Sequence, residues 1–263
     1  MSLPEFPGGT SVTRLSVYSG RCADGLAGGT PHLHTASTEA YVVIGGAGAL
    51  QTLDASGFRE TPLWAGSTVW FTPGTIHRAV NHSDLQVVVV MQNAGLPEAG
   101  DAVMTFPPEV VADPARYAAA ATLPPDAGAD ELDEAVRQRR DLALDGFLRL
   151  VASAQEGDLG PLRDLYRTAV ALVRPRVAAW RELWRETVER QVRHTEEILD
   201  ALQGGDGGHL ERSVLLESPP SGPARWGMCG RLVTHDLARP VVGRAGADGD
   251  SPFGMRYPSG LAD

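Results

Sequence analysis

A chain of 263 residues, 43% of them hydrophobic, can bury a real core as one large domain or two modest ones. Its 33 acidic against 23 basic side chains give a formal charge of −10. That excludes the net positive surface expected of a protein that binds nucleic acid or an anionic membrane. Every basic residue is arginine, so neither a Schiff-base lysine nor a Walker-type phosphate loop with its lysine is available.

Residues 1–10 have neither a basic start nor an apolar run and do not read as a secretory signal. No apolar stretch approaches the ~20 residues needed to cross a bilayer. Two cysteines, Cys22 and Cys229, are too few for a disulfide framework and read as small buried thiols. The expectation is a soluble, cytoplasmic protein.

Up to residue 106 the pattern is β: short Val-, Tyr- and Thr-rich runs at 11–18, 40–44, 49–53, 67–72 and 85–92, punctuated by glycine and proline. Gly45-Gly46-Ala47-Gly48 reads as a tight turn between two of them. Many short strands at this spacing predict a sandwich or closed barrel. Residues 107–129 read as a short helix and a linker, with Asp113 as N-cap and Pro114 at the first helical position. Residues 130–205 are helical, with apolar side chains recurring every three or four positions, a break at Gly157-Asp158, a kink at Pro175 and a stop at Gly204-Gly205. Trp180 and Trp184 are predicted to pack in a helix–helix core. Residues 206–263 form a tail with candidate strands at 213–216 and 228–233, and the Gly/Asp/Pro-rich stretch 243–263 is predicted to be partly disordered.

The chemistry concentrates in Pro31-His32-Leu33-His34-Thr35-Ala36-Ser37-Thr38-Glu39. Residues two apart in a strand share a face, so His32 and His34 can offer imidazole nitrogens to one ion, with Glu39 adding an oxygen. Two histidines and a carboxylate leave coordination positions open, as an iron(II) oxygenase requires. The segment 66–77 reads as strand, turn, strand, with His77 just past the turn. The same alternation puts Tyr41 beside Glu39, and Trp70 and Gln92 are further candidates to line a cavity. His82 and His194 read as exposed, and His209 and His235 have no partner spacing.

The segment 29–81 resembles the two motifs of the cupin superfamily, through His32, His34, Glu39 and Gly46 in the first and Gly66, Gly74, His77 and Asn81 in the second. It departs at Leu26, where a glycine is expected, and at Pro73, where the proline is displaced by one position. Both departures concern turns. The resemblance implies a jelly-roll β-barrel, here followed by a mostly α-helical C-terminal region. It also implies one divalent transition metal (Fe²⁺, Mn²⁺, Ni²⁺ or Zn²⁺) held by His32, His34, Glu39 and His77. Three functions follow: a metal-dependent oxygenase on a small organic substrate, a sugar or polyol isomerase with Glu39 as catalytic base, and a non-catalytic binding or sensing module. A single arginine such as Arg78 would suffice for one phosphate. The apolar surplus of the helices predicts a homodimer, and neither nucleic acid nor membrane is an expected partner.

Overall fold

The structure, a computed structural model, describes residues 6–237 and 239–242; the predicted disorder at 243–263 lies outside them. Seven strands come from the first half: β1 (Ser11–Val17), β2 (His32–His34), β3 (Glu39–Asp54), β4 (Gly57–Trp64), β5 (Thr68–Phe71), β6 (Ile76–Met91) and β7 (Ala102–Met104). The tail adds β8 (Leu216–Glu217), β9 (Arg225–Trp226), β10 (Gly230–Thr234) and β11 (Val241–Val242). Nine of these form one sheet with a path β4-β3-β6-β1-β10-β9; β2 joins β6 and β7, and β5 joins β3. β8 and β11 pair separately.

Two sequence expectations change here. The glycine run is not a turn. β3 runs through it and pairs with β6 over its whole length, with register shifts between Val43 and Gly48. Gly46 has φ 70°, and a Cβ there would collide with the Ser83 and Asp84 carbonyls opposite, so the strand bends through a bulge instead of reversing. Residues 81–84 form the matching bend of β6, with Asp84 at φ 42°. The second correction is that the hydrogen-bonded sheet does not close into a barrel. β5 pairs with one half of β3 (39–42) and β4 with the other (47–54), which leaves outer edges unjoined. The other flank of β1 is covered by β10, brought back from the C-terminal segment.

The helical region lies against the sheet. It comprises α1 (Pro108–Val111), α2 (Pro114–Ala121), α3 (Ala129–Gln155), α4 (Gly160–Val173), α5 (Val177–Trp184) and α6 (Arg190–Gln203). Asp113 caps α2 by accepting from the Ala115 and Arg116 N–H groups, as its position predicts. Pro175 breaks the α4–α5 run with a single 3₁₀ turn, Arg174–Arg176. Strand alternation divides the molecule into two cores. One face of the strands sends Tyr41, Leu50, Phe71, Val87 and Val89 inward. The other sends Leu33, Leu53 and Ile76 to Phe147, Leu144, Leu162 and Trp180 of the helices. Phe147 is 1% exposed and packs on Phe58 of β4. Burial of such a side chain contributes about 1.5–3 kcal/mol. Arg140 of α3 donates to the Gly28 and Arg21 carbonyls, and Arg139 to those of Gly227 and Ala121, so the helix also grips the loop before β2 and the returning tail. Among the described residues no helix is long and apolar enough to cross a membrane.

Candidate metal centre

Alternation along β2 aims His32 and His34 to one side and Leu33 to the helical core. β2 pairs with β6 so that His32 lies opposite His77, and Glu39 opens β3. Three strands thus bring four side chains together. One ligand atom from each of His32, His34, Glu39 and His77 lies within 4.8 Å of the others, and all four residues are buried.

Glu39 Oε2 is 3.1 Å from His34 Nε2 and 3.1 Å from His77 Nε2. The far nitrogens face outward: His32 Nδ1 lies 2.9 Å from the Thr30 carbonyl, His77 Nδ1 lies 3.2 Å from that of Thr75, and His34 Nδ1 is 3.6 Å from Asp101 Oδ2. The acceptors at Nδ1 of His32 and His77 favour the tautomer that leaves Nε2 bare, the pattern of metal-ligating histidines. Glu39 Oε2 and His77 Nε2 are buried and make no hydrogen bond. Such atoms are costly unless something satisfies them. The residues present therefore fit a divalent cation.

The electrostatics differ between the histidines. Burial, reinforced by His77 and His34, drives the His32 pKa well below its ordinary value. Burial opposes charge on His34 too, but the Asp101 and Glu39 carboxylates outweigh it and raise its pKa to about 9. Glu39 is pushed toward the neutral acid by burial and, more strongly, toward the anion by His77 and His34, so its pKa falls.

A cavity of about 440 Å³ adjoins the cluster, lined by Leu50, Thr52, Arg59, Thr61, Trp70 and Phe71 among others. None of the four ligand-type residues lines it. Thr52 sits opposite His77 in the sheet, and the Phe71 ring, on the cavity wall, lies 4.2 Å from the His77 ring centre to centre.

The pocket candidates separate. Trp70 lines the cavity with 70% of its surface exposed. Tyr41 is fully buried beside the cluster, its ring 6.4 Å from that of His77 and its hydroxyl 3.7 Å from Cys229 Sγ. Gln92 is exposed just past β6, where its side chain accepts from the Thr38 N–H, and the structure does not bring it to the cavity. Arg78, entertained as a phosphate partner, points away from His77 and is fully buried against Asp24 and Gln51. Sequence reasoning missed Asp101, and it read Cys229 as a buried thiol without its neighbour. Cys229 comes from the returning tail, and no local pattern linked it to Tyr41. Asp101 sits in an irregular turn with no periodicity to mark it.

The cupin domain family model matches residues 23–92, and the chain carries a cupin domain there. No curated protein matches the sequence. Among solved structures, it is similar to an uncharacterized conserved protein with a double-stranded beta-helix domain from Klebsiella pneumoniae. The identity is 18%, covering 36% of this chain and 73% of that one, with a TM-score of 0.28. It is also similar to Streptomyces Pac13, described as a nucleoside dehydratase (19%, 38% and 70%, TM-score 0.28). A third is CapF, a capsular polysaccharide assembling protein of Staphylococcus aureus (19%, 39% and 29%, TM-score 0.28).

Proposed function

We propose that this cupin domain holds a single divalent transition metal and that the protein is a metal-dependent oxygenase acting on a small organic substrate. One observation carries the reading: three imidazoles and one carboxylate converge in a buried cluster, with Glu39 Oε2 and His77 Nε2 unsatisfied. Three nitrogen donors and one oxygen donor suit iron(II), manganese(II), nickel(II) or zinc(II). A bound ion would supply a Lewis acid and, if redox-active, a site for dioxygen. The chain's own residues do the rest. His32, His34 and His77 present Nε2, and Glu39 contributes the negative charge. Phe71 shields the His77 side from water, and the cavity beside it receives the substrate.

A second reading, a sugar or polyol isomerase, is favoured by the cavity lining, where Thr52, Thr61, Thr68, Thr72 and Thr75 supply hydroxyls and Arg59 a cation. Glu39 then doubles as the base. Oxygen uptake separates the two: substrate-dependent consumption of dioxygen by the iron-loaded protein supports the oxygenase, and an isomeric product formed without it supports the isomerase. The exposed apolar side chains of α5 and α6, Trp184, Val192, Leu199 and Leu202, support the further proposal that the protein is a homodimer.

A further inference from the structure

We propose that the helical region sets the geometry of the metal centre, and that Asp101 is the positioning residue through which it acts; this rests on the metal reading above. The turn Pro97–Asp101 is gripped from two sides. On the helical side, Trp180 of α5, 6% exposed, donates its indole N–H to the Ala99 carbonyl at 3.2 Å. Arg176, in the 3₁₀ turn before α5, donates to the Gly100 carbonyl at 3.1 Å. Leu183 packs over Gly95, which has φ 95° and no Cβ to hold it off.

On the sheet side, the fully buried Asp101 carboxylate organises the link between two ligands. Its Oδ1 accepts from the Thr35 N–H (2.8 Å), the Thr35 hydroxyl (2.6 Å) and the Ala36 N–H (2.7 Å). Its Oδ2 accepts from the Ser37 N–H (3.0 Å). Residues 35–37 are most of the connection from His34 to Glu39. The same Oδ2 faces His34 Nδ1 at 3.6 Å, and that nitrogen has no hydrogen-bond partner. His32 and His77 differ, because each is oriented by a carbonyl two residues before it. Of the three, His34 alone has its Nδ1 facing a group outside its own segment, a carboxylate on a turn that the helices hold. A shift of α5 therefore moves the turn, the 35–37 link and the His34 ring together.

Asp101→Asn conserves shape but puts an amide donor among N–H donors. Facing His34 Nδ1, it favours the tautomer with the proton on Nε2, the atom a metal needs. Loss of such an outer partner typically costs 10–100-fold in metal affinity. Trp180→Phe keeps an aromatic side chain but removes the N–H together with the second ring, which loosens the grip on the turn, and a coupling of this kind is worth about 2- to 30-fold. The test uses the full chain with cobalt(II) as probe, reading affinity by chelator competition, the visible ligand-field spectrum, and folding by near-UV circular dichroism. The expected result is folded variants that bind cobalt(II) more weakly in these ranges, with an altered spectrum for Asp101→Asn. A purely structural role would lower the melting temperature and leave affinity and spectrum alone. Wild-type affinity in both folded variants would overturn the proposal, as would wild-type affinity in Trp180→Phe if Asp101→Asn fails to fold. A wild-type chain that takes up no cobalt(II) would instead remove the metal reading, and this proposal with it.

Discussion

Asp24→Asn tests how the sheet tolerates a charge directly behind the metal cluster. Arg78 follows His77 in β6 and is fully buried. Its guanidinium donates from Nη1 to Asp24 Oδ2 at 2.6 Å and from Nη2 to Oδ1 at 3.2 Å, with Gln51 Oε1 3.3 Å away. Removing one partner of a buried pair leaves an uncompensated charge and costs about 3–5 kcal/mol. The Asp24 side chain is 16% exposed on a surface loop that can relax, so the low end, about 3 kcal/mol, applies. For a chain of this size that is a fall of roughly 6–12 °C in melting temperature. Replacing both partners, with Asp24→Leu and Arg78→Met together, should restore most of it, since replacing a buried pair by apolar volume is nearly neutral. The pH dependence has a definite sign. Burial raises the Asp24 pKa, but the Arg78 hydrogen bonds outweigh it and hold the folded value below the ordinary one. The stabilisation is then complete above the unfolded pKa, about 3.9, and is lost as pH falls through the folded value. The gap between wild type and Asp24→Asn should be full at pH 7 and narrow below about pH 4. Thermal melts followed by far-UV circular dichroism give all three quantities. A shift under about 1 °C at pH 7 would refute the claim that Arg78 is desolvated and held by Asp24.

Three further outcomes are expected. His34→Ala and His77→Ala should each lose most of the bound metal yet keep the strand signature in circular dichroism, because the ligands sit on strands with their own apolar core; stoichiometric metal in both would count against the ligand assignment. Gly46→Ala should lower stability by about 1–3 kcal/mol in denaturant titration, since any Cβ meets the opposite carbonyls at a positive φ; an unchanged midpoint would argue against the bulge. Trp184→Asp should convert a dimer to a monomer in sedimentation at micromolar concentration, and a wild-type chain that is strictly monomeric would reject the homodimer.

The pairing of His32 with His34 was legible because period-2 alternation is local, and the joining of Glu39 and His77 to them was legible through the resemblance to the cupin motifs. The helix boundaries were legible because they too are local: Asp113, Pro175 and Gly204 act on their immediate neighbours. What the sequence hid is non-local. A glycine run reads as a turn unless one knows that β6 bends in step with β3 and fills the space above Gly46. The Gly57–Trp64 strand escaped notice because its polar positions face solvent and its apolar period is weak. β10 joins β1 across more than 200 residues, a pairing no window can see. Trp180 packs among the helices as its spacing predicts, but nothing local showed that its N–H also reaches the Ala99 carbonyl or that Trp184 stays partly exposed. Asp101 became meaningful only when the fold laid it under the Thr35 to Ser37 link.

The central claim is a mononuclear metal centre, and metal analysis of protein purified without added metal tests it most directly. The account predicts close to one equivalent of transition metal per chain, with iron as the oxygenase reading requires, and its loss in His77→Ala. A wild-type chain that holds no stoichiometric metal, even after incubation with iron(II), manganese(II), nickel(II) and zinc(II) in turn, would contradict it and leave the sheet as a metal-free binding module.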